Sequence, residues 1–181
     1  MSSPELLSIR TAGVEDIEAI SALMTVAIAQ LQAGFLSPAQ IALSHRVMGL
    51  DTQLIRDGTY FVALMDGVLA GCGGWSYRAT LYGGDASAVA REPVALDPAR
   101  DPARIRAMYT SPDFTRRGVG RAILKASEDA ARAAGFTTAE MMATLAGVPL
   151  YEACGYRRIE AVATDPIDGV SVPLERMTKA L

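Results

Sequence analysis

Apolar side chains recur at steps of three and four early in the chain, at Ile17, Ile20, Met24, Ile28 and Leu31. That period predicts an amphipathic helix over 14–33, with Thr11 placed to cap it and Gly34 to end it. Ser37 followed by Pro38 reads as the N-cap and first position of a second helix reaching about Leu50. In "GTYFVALMDGVLAGCGGWSYR" two apolar, β-branched and aromatic runs flank Asp66-Gly67, which predicts a β-hairpin. Gly71, Gly73 and Gly74 in its second strand mark either a close approach to the backbone or a bulge.

The second half of the chain repeats the alternation of strand and helix patterns. "RIRAMYTSP" is a strand stopped by Pro112, and a helix follows over 118–134. Arg121, Lys125, Glu128 and Arg132 fall on one face of that helix, with Glu128 and Arg132 a supportive pair four residues apart. Gly135 is placed as its C′ residue. "TTAEMMATL" predicts a strand, "PLYEACG" a short helix closed by Gly155, and "YRRIEAVAT" another strand. Asp168-Gly169 and "VSVPLERMTKAL" complete a C-terminal hairpin. Residues 79–103, rich in Gly, Ala, Asp and Pro, keep no period; a loop of that length is either a lid or substrate wall, or a mobile solvated insertion. With no repeat and no linker, one domain over 1–181 is expected.

Composition narrows the partners. The 181 residues carry a net charge of -3, so no overall positive field draws the chain to nucleic acid or to an anionic membrane. The most apolar run, "AISALMTVAIA", is too short to span a bilayer, which takes about 20 residues. "MSSPELLSIR" lacks the basic start and apolar stretch of a signal peptide, so a cytoplasmic protein is expected. Cys72, Cys154 and the single His45 offer no metal-ligand spacing; no metal is expected, and both thiols are read as reduced packing residues. Any anion must therefore be held by a local cluster.

"SPDFTRRGVGRAIL" supplies one. The first N–H groups of a helix have no internal partner and lie at the positive end of its dipole. Gly118 and Gly120 clear side chains from that turn, and Arg116, Arg117 and Arg121 surround it with cationic forks. The physical reading is a pyrophosphate cradle; the plainer alternative is a glycine-rich helix start with surface arginines. The spacing is not that of a Walker A loop, and Ile123 stands where a dinucleotide fingerprint requires Gly or Ala.

Taken with "ARAAGF", the following strand and "LYEACGY", this segment resembles the GNAT superfamily of N-acetyltransferases, which carries a [QR]-x-x-G-x-[GA] turn after its fourth strand and an LYxxxGY element downstream. The match is most specific over 104–158, and Thr115 departs from the Gln or Arg of the first motif position. The resemblance implies an α/β (α+β) fold: a mixed, mostly antiparallel twisted sheet of six to seven strands with about four helices and splayed central strands. It implies acetyl-CoA as co-substrate. Backbone groups of Met108, Tyr109 and Thr110 would pair with the pantetheine arm, and Arg116, Arg117, Gly118, Val119, Gly120 and Arg121 would hold the pyrophosphate. Thr144 occupies a place where the family often has Asn. Tyr151 stands at the family's general-acid position.

The general base is open between His45, Glu140, which shares strand parity with Met142 and Thr144, and a water chain; a solvated helix histidine and a surface carboxylate are the plainer readings of the two side chains. Trp75, Tyr77, Arg78 and Tyr82 are the acceptor candidates, a set suited to a small amine bearing a carboxylate; for Trp75, at a strand end, core packing is the equal alternative. The expected activity is acetyl transfer to a primary amine of a small molecule. The alternatives are a protein lysine or N-terminus as acceptor, or a non-catalytic acetyl-CoA sensor. A homodimer stays possible.

Overall fold

The computed structural model describes residues 6–87 and 93–181. Seven strands form one sheet: β1 Leu7–Thr11, β2 Tyr60–Met65, β3 Val68–Ser76, β4 Ala103–Thr110, β5 Thr138–Thr144, β6 Arg157–Ala163 and β7 Pro173–Ala180. Five helices accompany them: α1 Ile17–Leu31, α2 Pro38–Val47, α3 Thr52–Arg56, α4 Val119–Ala133 and α5 Val148–Ala153. The sheet order is β1-β2-β3-β4-β5-β7-β6. All neighbours are antiparallel except β4 and β5. Among the described residues no helix is long and apolar enough to cross a membrane, and no group of three or more His, Cys, Asp or Glu is placed to hold a metal.

Local chemistry sets several boundaries. Ser37 accepts from the Gln40 N–H at 3.2 Å while the Gln40 side chain accepts from the Ser37 N–H at 3.0 Å, a capping box that starts α2. Asp66 (φ 49°) and Gly67 (φ 83°) make the left-handed turn that joins β2 to β3. Other expectations shift. Thr11 is the last residue of β1 rather than a cap; the N–H of Gly13, bonded to the Asp16 carboxylate at 2.8 Å, opens a three-residue turn ahead of α1. α2 stops at Val47, not Leu50, and α3, capped by Asp51, raises the helix count from about four to five.

Along β2, Val62 packs with Ile20, Met24 and Leu54 on the face that α1 and α3 cover, while Ala63 packs with Val119 and Ile123 of α4. Successive strand residues point to opposite faces, so α4 and the α1–α3 group lie on opposite sides. The glycines of β3 let α4 sit low on the sheet. A Cβ at Gly71 would meet Val119 Cγ1 at 2.6 Å, and one at Gly73 would meet Ile123 Cγ2 at 2.9 Å. Close approach is therefore what these glycines provide. The bulge belongs to the opposite strand.

The central break in the sheet positions the site. β4 and β5 pair only through Ala103–Ala139 and Arg104–Glu140. Beyond those residues they part, as the resemblance implied, and each leaves an unpaired backbone edge facing the gap.

Candidate active site

β4 is bulged where it borders that gap. Cys72 faces Tyr109 and Gly74 faces Arg106, so both Ala107 and Met108 stand opposite Gly73. Ala107 takes φ 49°, and the hydroxyl of the fully buried Tyr60 donates to its carbonyl at 2.7 Å. Burial raises the Tyr60 phenol pKa well above its ordinary range, so it remains a donor. The backbone from Ala107 to Thr110 is thereby fixed in an irregular path beside an open strand edge.

The first turn of α4 lies at one end of the gap. Gly118 is its N-cap at φ 82°, preceded by Arg116 at φ 64°, and no side chain caps the helix. The first helical bond is Ala122 N–H to Gly118 C=O, so the N–H groups of Val119, Gly120 and Arg121 have no helical acceptor. A Cβ on Gly120 would come within 2.8 Å of Leu150 Cδ2 and 3.6 Å of Thr110 Oγ1, so this glycine sits where α4, β4 and α5 converge.

A cavity of about 780 Å³ runs from this turn through the β4–β5 gap to the face covered by α1 and α2. Met108, Tyr109 and Thr110 line it, as do Arg116, Gly118, Val119, Gly120, Arg121, Thr144 and Tyr151. Arg117 lies outside that wall, its guanidinium 5.4 Å above the Phe114 ring. Open helix N–H groups at one end and two unpaired strand edges along the middle suit a ligand with a phosphate terminus and an extended amide-bearing arm.

A profile of the acetyltransferase (GNAT) family matches residues 24–156, most of the chain and all of this cradle. The chain belongs to that family.

It is therefore an N-acetyltransferase, of the acyltransferase class. A GCN5-related N-acetyltransferase from Rhodopseudomonas palustris superposes with a TM-score of 0.70 at 22% identity, covering 100% of this chain and 98% of that one. The PaiA N-acetyltransferase from Thermoplasma acidophilum, in complex with coenzyme A, gives 0.65 at 15% identity over 97% and 99%. YncA, a putative acetyltransferase from Salmonella typhimurium with its cofactor acetyl-CoA, gives 0.63 at 17% identity over 96% and 93%. These likenesses show the fold. No curated protein matches the acetyltransferase at a significant level by sequence.

Tyr151 is 7% exposed on α5, its ring edge-on to Tyr156 at 6.1 Å. Its hydroxyl forms no hydrogen bond among the described residues. Burial is the main reason its phenol pKa is raised, with Tyr109 next. The group is thus a neutral donor and not a base. Thr144 ends β5, and its hydroxyl accepts from the Gly147 N–H at 3.3 Å.

The two base candidates are not at the cavity. His45 is exposed on α2. Glu140 has the right strand parity but the wrong position: it sits at the closed end of the gap, still paired to Arg104, between the Arg104 and Arg176 guanidiniums. Three acceptor candidates also lie elsewhere, and Tyr77 among them packs edge-on to Trp75 at 6.1 Å. Trp75 is core, edge-on to Phe136 at 5.8 Å. Arg78 is held by Asp57 through Nε at 2.6 Å and Nη2 at 2.8 Å, and it donates to the Pro93 carbonyl at 3.0 Å. Tyr82 does line the cavity, with Leu81 and Gly83, so this part of the 79–103 segment is a wall; residues 88–92 lie outside the described residues.

One wall-building pair was not anticipated. Arg106, buried beside the bulge, reaches Asp51 at 3.2 Å and the carbonyls of Thr80 at 3.2 Å and Gly83 at 2.7 Å. It ties the 80–83 segment and the start of α3 to β4. A charged residue inside the apolar run "RIRAMYT" was the available signal. Cys72 and Cys154 are free and packed in the core clusters, and burial pushes the Cys72 thiol up to about 12.

Proposed function

We propose that this acetyltransferase moves the acetyl group of acetyl-CoA to the primary amine of a small molecule, by direct attack in a ternary complex. The observation that carries the reading is the continuous cavity: open helix N–H groups at one end, unpaired strand edges in the middle, Tyr151 on its wall, and the Leu81–Gly83 segment closing its far side. The residues fit coenzyme A. Arg116, Gly118, Val119, Gly120 and Arg121 would hold the pyrophosphate, with Arg117 adding charge nearby. The edge of Met108, Tyr109 and Thr110 would pair with the pantetheine amides, and Thr144 would face it from β5.

In the proposed reaction the neutral amine nitrogen attacks the thioester carbonyl carbon, the C–S bond breaks, and the amine proton leaves to solvent. Backbone N–H groups at the β4 bulge stabilise the developing oxyanion. Tyr151 donates its proton toward the departing sulfur and recovers one from solvent. His45 and Glu140 lie away from the cavity, so the water route serves deprotonation. The Arg106 anchor supports a small acceptor, because it ties the cavity-lining 81–83 segment to β4.

The test is thiol release from acetyl-CoA with a panel of small primary amines and an alanine-terminated peptide. Amine-dependent release with an N-acetylated small-molecule product is expected. Transfer to the peptide alone would favour a protein acceptor, and binding without any release would favour a sensor.

A further inference from the structure

Beyond the strand gap the cavity is walled by Phe35, Met48, Leu81, Tyr82, Met142 and Leu174. Met48, Tyr82 and Met142 pack in one cluster with the buried Leu174, which joins the end of α2, the 81–83 segment, β5 and β7. Phe35, in the turn after α1, lines the same space yet is 52% exposed. Apolar surface in water is unfavourable, and an apolar wall at a cavity mouth is a binding feature. It continues directly from the gap where the thioester would lie.

Charge argues in the same direction. Among the described residues, Arg106 is the ionised group in this part of the wall, and its positive charge is engaged by Asp51 and two carbonyls. A second ammonium on the acceptor would meet a cation and apolar side chains there. Asp165, which raises the Tyr82 phenol pKa after burial, is exposed and is not part of the lining. The arginine expected to receive a carboxylate, Arg78, is committed to Asp57.

We infer that the acceptor is a monoamine carrying an aryl or branched-alkyl group, which packs against Phe35, Met48, Tyr82 and Met142. This rests on the acetyltransferase reading above and narrows it. The experiment compares kcat/KM for 2-phenylethylamine, ethylamine, spermidine and a lysine-bearing peptide at saturating acetyl-CoA. Burying a phenyl group predicts a preference for phenylethylamine over ethylamine of at least about 10-fold. Phe35→Ala, at an exposed position that costs the core little, is expected to lower that ratio severalfold; being a ratio, it is insensitive to loss of folded protein. Spermidine or peptide turned over as well as phenylethylamine would overturn the acceptor class and leave the acetyltransferase reading standing. A ratio unmoved by Phe35→Ala would overturn the pocket. No transfer to any of the four amines would overturn both.

Discussion

Gly120→Glu is expected to weaken acetyl-CoA binding by roughly 1000-fold while the protein stays folded. Gly120 lines the cavity in the first turn of α4, next to helix N–H groups that have no internal acceptor. A carboxylate added there enters the space assigned to the pyrophosphate. Two like charges about 4 Å apart repel by about 4 kcal/mol at the effective dielectric of a protein surface, and each 1.4 kcal/mol is tenfold in affinity. The new Cβ would approach Leu150 Cδ2 at 2.8 Å, but that atom ends a flexible side chain and can move. Titration calorimetry together with a thermal melt checks this. A folded variant that binds acetyl-CoA as well as the wild type would place the ligand elsewhere.

Tyr151→Phe is expected to lower kcat by about 100-fold with the affinity for acetyl-CoA nearly unchanged. That figure is the low end of the range for general acid–base catalysis, about 10²–10⁴. The low end applies because burial raises the phenol above its ordinary pKa of about 10, while a thiol leaves with a pKa near 8.5. Full proton transfer to sulfur runs uphill, so much of the effect comes from the hydrogen bond. The sign of the shift also fixes the pH behaviour. A raised pKa keeps the hydroxyl protonated across the whole range in which the amine becomes neutral. The ratio of wild-type to variant rates is therefore expected to stay constant between about pH 7 and pH 9. Phe preserves the packing on Tyr156, and the lost hydroxyl has no hydrogen-bond partner among the described residues. Equal kcat in variant and wild type would remove Tyr151 from the mechanism.

The features that sequence reveals here are those set by local chemistry. Asp66-Gly67, the Ser37-Pro38 start and the arginine-glycine turn each depend on a few adjacent residues, and each lies where their chemistry placed it. β1 escaped because it is five residues long, partly exposed, and defined by its pairing with β2. α3 has only five residues, too few for a period, although Asp51 caps it. The bulge could not be assigned to a strand until β3 and β4 were paired. Its anchor, Tyr60, is 47 residues from the carbonyl it holds.

The same limit explains the site residues. Glu140 shares a face with Thr144, as alternation required, but where the gap opens along β5 is a tertiary fact. Trp75 and Arg78 stand at a strand end that the sequence brings near an acceptor, whereas Phe136 and Asp57 engage them elsewhere. Arg106 and Asp51 meet across 55 residues to form the wall. The turn itself was legible because a helix N-terminus, two glycines and three arginines lie within six consecutive positions.

We propose that the turn at Arg116–Arg121 and the β4–β5 gap together hold acetyl-CoA. Calorimetric titration of the purified protein with acetyl-CoA tests it most directly. Saturable binding at one site, weakened about 1000-fold in Gly120→Glu, is the predicted result. No heat of binding at millimolar acetyl-CoA from folded protein would contradict the claim, and the turn would then be only a glycine-rich start to α4.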